Sequence, residues 1–209
     1  MDDKDWANLS KYIEENREIL QKPLEDNRII FFGDSITEQW KEIMPEYFSE
    51  HKYVNRGIGG QTTPQMLIRF RQDVVKLNPS LVIILAGTND IAGNTGPSSL
   101  EMIMDNIMSM VEISTANGIK VILSSVLPAY DYFWAPGLQP ADKIFELNRL
   151  IKSYADKKAI EYLDYYSKLV DEKKGLVESF TIDGVHLNEK GYKIMIPIAQ
   201  EGISKALKS

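Results

Sequence analysis

The chain has 209 residues, 44% of them apolar, with 24 basic against 30 acidic side chains for a formal charge of −6 and no cysteine. That is enough apolar material for the core of one domain spanning residues 1–209 without disulfides, and it excludes a thiol nucleophile or a zinc–thiolate site. The acidic balance, with no long basic run or basic–aromatic stripe, speaks against nucleic acid as a partner.

The N-terminal "MDDKDWANLSKYIEENREIL" is acidic and amphipathic, so it lacks the basic start and apolar stretch of a signal peptide. No apolar run reaches the roughly 20 residues of a membrane span. As written, the chain is expected in the cytoplasm, or in the periplasm or outside the cell if Met1 was added to a shortened chain. Within residues 1–27, the spacing of Trp6, Leu9, Ile13 and Leu20 predicts a helix over 5–20, packed on the outside of the domain.

From there apolar runs alternate with segments of helical period. Strands are expected at 28–32, 52–55, 81–86, 120–125 and 160–163, and helices at 37–48, 64–77, 98–117, 141–158 and 189–205. Near-continuous apolar strands such as "LVIILA" and "VILSSV" suit a mostly parallel sheet covered on both faces, hence an α/β fold. Pro64 and Pro97 stand near helix starts, and Gly118 follows a helix where a left-handed residue is expected. Met102, Met104, Met108 and Met110 share one helix and are read as packing residues, only some on one face.

Ligands of parallel sheets collect beyond the carboxyl ends of the strands, and the polar clusters fall there. "GDSIT" follows the first strand, "RGIGGQTT" the second, "GTND" the third and "SVLPAYDYFW" the fourth, while "DGVHLNEKGY" precedes the last helix. Ser35 is the candidate nucleophile, presented at a strand-to-helix turn with its own N–H toward the reacting site; the alternative is that Asp34 or Ser35 only caps the helix. His186 is the candidate base. Asp183, three residues earlier, can accept its Nδ1–H in a tight turn, although the same pattern also describes an aspartate turn beside a surface histidine. Gly59, Gly60 and Asn89 can supply oxyanion donors or ordinary turn chemistry. Asp34 and Asp90 raise a metal reading, but no dense carboxylate–histidine motif supports one.

"GIGGQTT" fits neither the dinucleotide nor the P-loop glycine pattern, and the G-x-S-x-G elbow is absent. The four clusters together resemble the SGNH or GDSL hydrolases. "GDSIT" is similar to that family's first block, "IGGQT" to the second, "GTND" to the third and "DGVH" to the last, in order from residue 33 to 186. Gly59 stands where the family often has serine, Ile36 replaces the namesake leucine, and Leu187 follows His186 where proline is common. The longer stretches "NRGIGGQTTPQMLIRF" and "LAGTNDIAGNTGP" look like the bacterial acylhydrolases related to the platelet-activating factor acetylhydrolase catalytic subunits.

The resemblance implies a flavodoxin-like three-layer α/β/α fold, its five parallel strands in order 2-1-3-4-5 with helices on both faces. It implies Ser35 as nucleophile, Asp183 and His186 completing a triad, and Gly60 and Asn89 as oxyanion donors, with no metal or organic cofactor. The expected reaction is hydrolysis of short-chain carboxylic esters, acetyl foremost, through an acyl-serine. Acetylated carbohydrates and lyso- or ether-phospholipids are candidate substrates; carbohydrate O-acetyl transfer and a non-catalytic ligand-binding protein are the alternatives. The aromatic loop 128–140 is read equally as a pocket wall or as packing that stiffens a long loop. No heptad seam assigns an oligomeric state.

Overall fold

The structure, a computed structural model, describes residues 4–22 and 27–208. Helix α1 (Ile13–Gln21) leads into strand β1 (Ile29–Gly33), then helices α2 (Ser35–Ile43) and α3 (Pro45–His51), strand β2 (Val54–Gly57) and helix α4 (Thr63–Asp73), with a 3₁₀ turn at Val75–Leu77. Strand β3 (Leu81–Leu85), the short helix α5 (Thr88–Ile91), helix α6 (Leu100–Ala116) and strand β4 (Lys120–Ser124) follow. Helix α7 (Ala141–Lys158), strand β5 (Glu161–Leu163), the short helix α8 (Tyr166–Leu169), a second 3₁₀ turn at Glu178–Phe180 and helix α9 (Glu189–Lys208) complete the chain.

The five strands form one parallel sheet in the order β2-β1-β3-β4-β5. Alternation along β1 divides its side chains between two cores. Ile30 and Phe32 join Met66, Phe70, Ile107, Ile144 and Leu147 on the face covered by α4, α6 and α7. Ile29 and Phe31 join Trp40, Phe48, Tyr192 and Met195 on the face covered by α2, α3 and α9. Both faces of the central strands are therefore dry, which is why they read as unbroken apolar runs. Phe31 lies edge-on to Trp40 and Phe48 at 5.4 and 5.2 Å, and truncating such a ring to alanine costs about 3–5 kcal/mol.

Three sequence expectations change. The helix expected over 37–48 is two helices, because Pro45 has no N–H to continue α2 and instead occupies the first turn of α3. The helix over 64–77 stops at Asp73 before the 3₁₀ turn. The N-terminal helix covers only Ile13–Gln21, and Trp6, Leu9, Ile13 and Leu20 are exposed instead of forming an inward stripe. Residues 5–10 are turned by Asp5, whose carboxylate accepts the Leu9 and Ser10 N–H groups. The segment is held on through polar contacts: Gln61 and Gln65 donate to the carbonyls of Ala7 and Trp6, and Asn16 donates to Asp73. Residues 1–3 and 23–26 of that segment lie outside the described residues.

Among the methionines, Met104 and Met110 are buried while Met102 is exposed, as a helix presenting one face inward requires. Among the described residues, no helix is long and apolar enough to cross a membrane.

Candidate active site

Strand order reverses between β1 and β3, and the crevice at their carboxyl ends is where a doubly wound sheet binds ligands. Ser35 leaves the first of these strands and Asn89 follows the second. Asp34 is the N-cap of α2, its Oδ1 accepting the Ile36 N–H at 3.0 Å, so Ser35 becomes the first helical residue. An N–H in that position has no acceptor inside its helix, and among the described residues the Ser35 N–H has no other backbone acceptor. Gly33 is required by crowding: a Cβ there would stand 2.3 Å from Thr37 Oγ1 and 2.7 Å from the Leu85 carbonyl. Asp34 is therefore the helix cap, and the cap leaves Ser35 free to meet His186.

Opposite, the segment before α9 folds into a tight loop. Asp183 Oδ1 accepts the N–H groups of Val185 and His186 at 2.9 and 2.7 Å, and Thr181 Oγ1 donates to the His186 carbonyl at 2.7 Å. Asp183 Oδ2 lies 2.7 Å from His186 Nδ1, and His186 Nε2 lies 3.0 Å from Ser35 Oγ. With Nδ1–H donated to the carboxylate, Nε2 is left to accept from the serine hydroxyl. Burial pushes the Asp183 carboxyl upward, but the His186 N–H, its ring and the Val185 N–H outweigh it and hold the acid below the usual carboxylate range. Leu187, buried in the core, anchors the loop from the other side.

The glycine pair behaves unequally. Gly59 N–H donates to Glu38 Oε2 at 2.6 Å, so it is engaged, whereas among the described residues the Gly60 N–H has no acceptor. Gly60 has φ +74°, a left-handed conformation that favours glycine. Asn89 Nδ2 donates to the Gln61 carbonyl at 3.1 Å, which leaves its second N–H for the pocket. Ser35, Gly60, Asn89, Asn94, Phe133, Trp134 and His186 line a cavity of about 240 Å³.

Loop 128–140 does both things expected of it. Tyr132 is fully buried, its hydroxyl bonded to Thr88, while the rings of Phe133 and Trp134 stand 6.0 and 6.3 Å from His186 and wall the cavity.

Beneath the site lies a buried polar frame. Arg69 donates to the Gly33 carbonyl at 3.0 Å and to Gln61, and pairs with Asp73 at 3.2 Å; burial lowers its pKa to about 10. Asp90 accepts the Thr63 N–H and hydroxyl, tying α5 to α4. These partners give Asp34 and Asp90 structural duties. Burial, only partly offset by the Ile36 N–H, pushes the Asp34 carboxyl up to about 7, and its Oδ2 has no hydrogen-bond partner. His51 sits at the end of α3, bonded to the Tyr47 carbonyl and stacked on Tyr53, and takes no part.

Of the residues singled out in the sequence, Ser35, Gly60, Asn89 and His186 line one cavity, and Asp183 joins them through its contact with His186. Sequence reasoning missed Glu38 and Asn94. Neither carried a local signal, except that Asn94 falls within the same "GTNDIAGNTGP" stretch as Asn89.

Comparisons with known proteins bear on the fold and the family. A GDSL-like lipase from Bacteroides thetaiotaomicron VPI-5482 superposes with a TM-score of 0.93 at 44% identity, covering 96% of this chain and 98% of that one. The human platelet-activating factor acetylhydrolase IB subunit alpha2 is 27% identical over 88% of this chain and 79% of its own length. An uncharacterized lipoprotein, YqeF, of Bacillus subtilis is 26% identical over 83% of this chain and 88% of its own. The model of the GDSL-like lipase/acylhydrolase family matches residues 31–194, and the chain belongs to that family of ester hydrolases.

Proposed function

We propose that the protein is a serine esterase that cleaves short-chain carboxylic esters, acetyl esters foremost, through an acyl-serine intermediate. The observation that carries this reading is the continuous set of contacts from Ser35 Oγ to His186 Nε2 and from His186 Nδ1 to Asp183 Oδ2. His186 takes the Ser35 proton as Oγ attacks the ester carbonyl, and Asp183 orients the ring and supports the imidazolium. The oxyanion meets the N–H groups of Ser35 and Gly60 and the free N–H of Asn89. His186 then protonates the departing alcohol, and water repeats the sequence on the acyl group. Losing the Asn89 donor should cost roughly 10²–10³ in kcat.

Acyl size is argued from the cavity. About 240 Å³ lies over Ser35, closed on one side by Phe133 and Trp134, which favours a small acyl group over a long chain. The acetylhydrolase name of the human relative points the same way. The test is hydrolysis of p-nitrophenyl acetate and octanoate by the wild type and by Ser35→Ala. Turnover of acetate over octanoate, abolished in the variant, is the expected result; unchanged activity in the variant overturns the nucleophile.

A further inference from the structure

A side-chain amide can donate to an oxyanion only if its nitrogen end faces the site, and nothing in its shape fixes which end that is. Asn89 is constrained at both ends: Nδ2 donates to the Gln61 carbonyl at 3.1 Å, and Oδ1 accepts from Asn94 Nδ2 at 3.0 Å. Asn94 is itself constrained. Its Nδ2 also donates to the Gly60 carbonyl at 3.1 Å, and its Oδ1 accepts the indole N–H of Trp134 at 3.1 Å. An indole nitrogen only donates, so it settles the direction of the whole relay: Trp134 to Asn94, Asn94 to Asn89, and Asn89 toward the pocket.

We infer that Asn94, oriented by Trp134, is a positioning residue that fixes the Asn89 amide and the Gly60 peptide in the arrangement that receives the oxyanion. Asn94 is itself well placed for this. It lies three residues beyond the end of α5, with its own N–H donating to the Asn89 carbonyl at 3.1 Å, and the neighbouring Thr95 hydroxyl bonds Thr62 at 2.9 Å. A Cβ built on Gly60 would have Asn94 Nδ2 as its nearest neighbour, at 3.8 Å, so the two surfaces are adjacent without crowding. The relay also links the aromatic wall to the oxyanion donors. A substrate group that displaces Trp134 thereby loosens Asn89, and one that packs against Trp134 holds it.

The inference rests on the esterase reading, and its test separates the two. Activity of the wild type on p-nitrophenyl acetate, absent in Ser35→Ala, establishes the reading; kcat is then compared in a cycle of Asn94→Ala, Asn89→Ala and the double variant. Asn94→Ala is expected to lower kcat about tenfold with KM changed less than about threefold, and to cost no more than about threefold when added to Asn89→Ala. Trp134→Phe keeps the ring and removes only the N–H; it is expected to lower kcat about threefold alone and to add nothing to Asn94→Ala. Near-UV circular dichroism checks that each variant is folded, and Trp134→Phe serves if Asn94→Ala is not. Losses that multiply fully with Asn89→Ala, an unchanged kcat, or an effect confined to KM would overturn the positioning role while leaving the esterase reading intact.

Discussion

The Glu38 carboxylate, one helical turn beyond Ser35, accepts the Gly59 N–H at 2.6 Å and is itself paired with Lys11. The helix that carries Ser35 therefore also holds the loop that carries Gly60, and the N-terminal segment braces both. Glu38→Ala leaves Gly59 N–H without its partner at a cost of about 1–2 kcal/mol, and if the loop shifts kcat falls about tenfold. Glu38→Gln keeps an acceptor and is expected to stay within about threefold of wild type. Steady-state kinetics on p-nitrophenyl acetate check both.

Asp183 accepts two backbone N–H groups as well as the imidazole, so its replacement separates loop shape from chemistry. Asp183→Asn retains an oxygen for the backbone donors but offers the ring an N–H, which favours the wrong tautomer. The expected loss is about 10³–10⁴ in kcat with a melting temperature near wild type. A loss below about tenfold would show that the carboxylate is not what orients His186.

How much of this was legible in the sequence depends on whether the cause is local. The strands were, because "IIFFG" and "LVIIL" have to be apolar on both faces wherever they pair. Pro45 was legible in principle, but an apolar period running across it from Trp40 to Phe48 hid the break. The N-terminal segment misled because Trp6, Leu9, Ile13 and Leu20 share a helical spacing, whereas Asp5 turns the segment and buried Tyr12, Lys11 and the amides of Gln61, Gln65 and Asn16 hold it on. Nothing in a separation of 151 residues says that Ser35 meets His186; the four ordered blocks supplied that expectation. Glu38 and Asn94 reach the site only through the fold, and nothing local marks them beyond the place of Asn94 in the stretch that holds Asn89.

Gly60 should tolerate a methyl group sterically but not conformationally, since its φ of +74° is unfavourable for alanine while, its chain neighbours aside, the nearest atom to the added carbon is Asn94 Nδ2 at 3.8 Å. Gly60→Ala is expected to cost about 1–2 kcal/mol of stability and, by turning the N–H, more than about tenfold in kcat. Thermal melts and kinetics measured together distinguish this from simple crowding.

Burial raises the Asp34 carboxyl to about 7, well above an ordinary aspartate. A group with a raised folded pKa binds its proton more tightly in the folded chain, so this contribution to stability is complete at low pH and is lost as pH rises from about 4 to about 7. Asp34→Asn keeps the cap acceptor for Ile36 and removes the titration. The stability of the variant relative to wild type should therefore climb across that window in urea titrations; a constant offset would contradict the assignment.

Arg69 and Asp73 are fully buried, with Asn16 the further donor to Asp73. Arg69→Met strands the carboxylate and releases the Gly33 and Gln61 contacts, so a loss of about 3–5 kcal/mol is expected from urea unfolding. A loss under about 1 kcal/mol would mean the frame beneath the site relaxes freely.

The central claim is that Ser35 is the nucleophile activated by His186, and covalent labelling tests it most directly. Wild type, Ser35→Ala and His186→Ala are treated with a fluorophosphonate, and intact mass and peptide mapping follow. One phosphonyl group per wild-type chain, on the peptide holding Ser35, with Ser35→Ala unlabelled and His186→Ala labelled far more slowly, is the result this account predicts. Labelling at another residue, or at equal rate without His186, would contradict it.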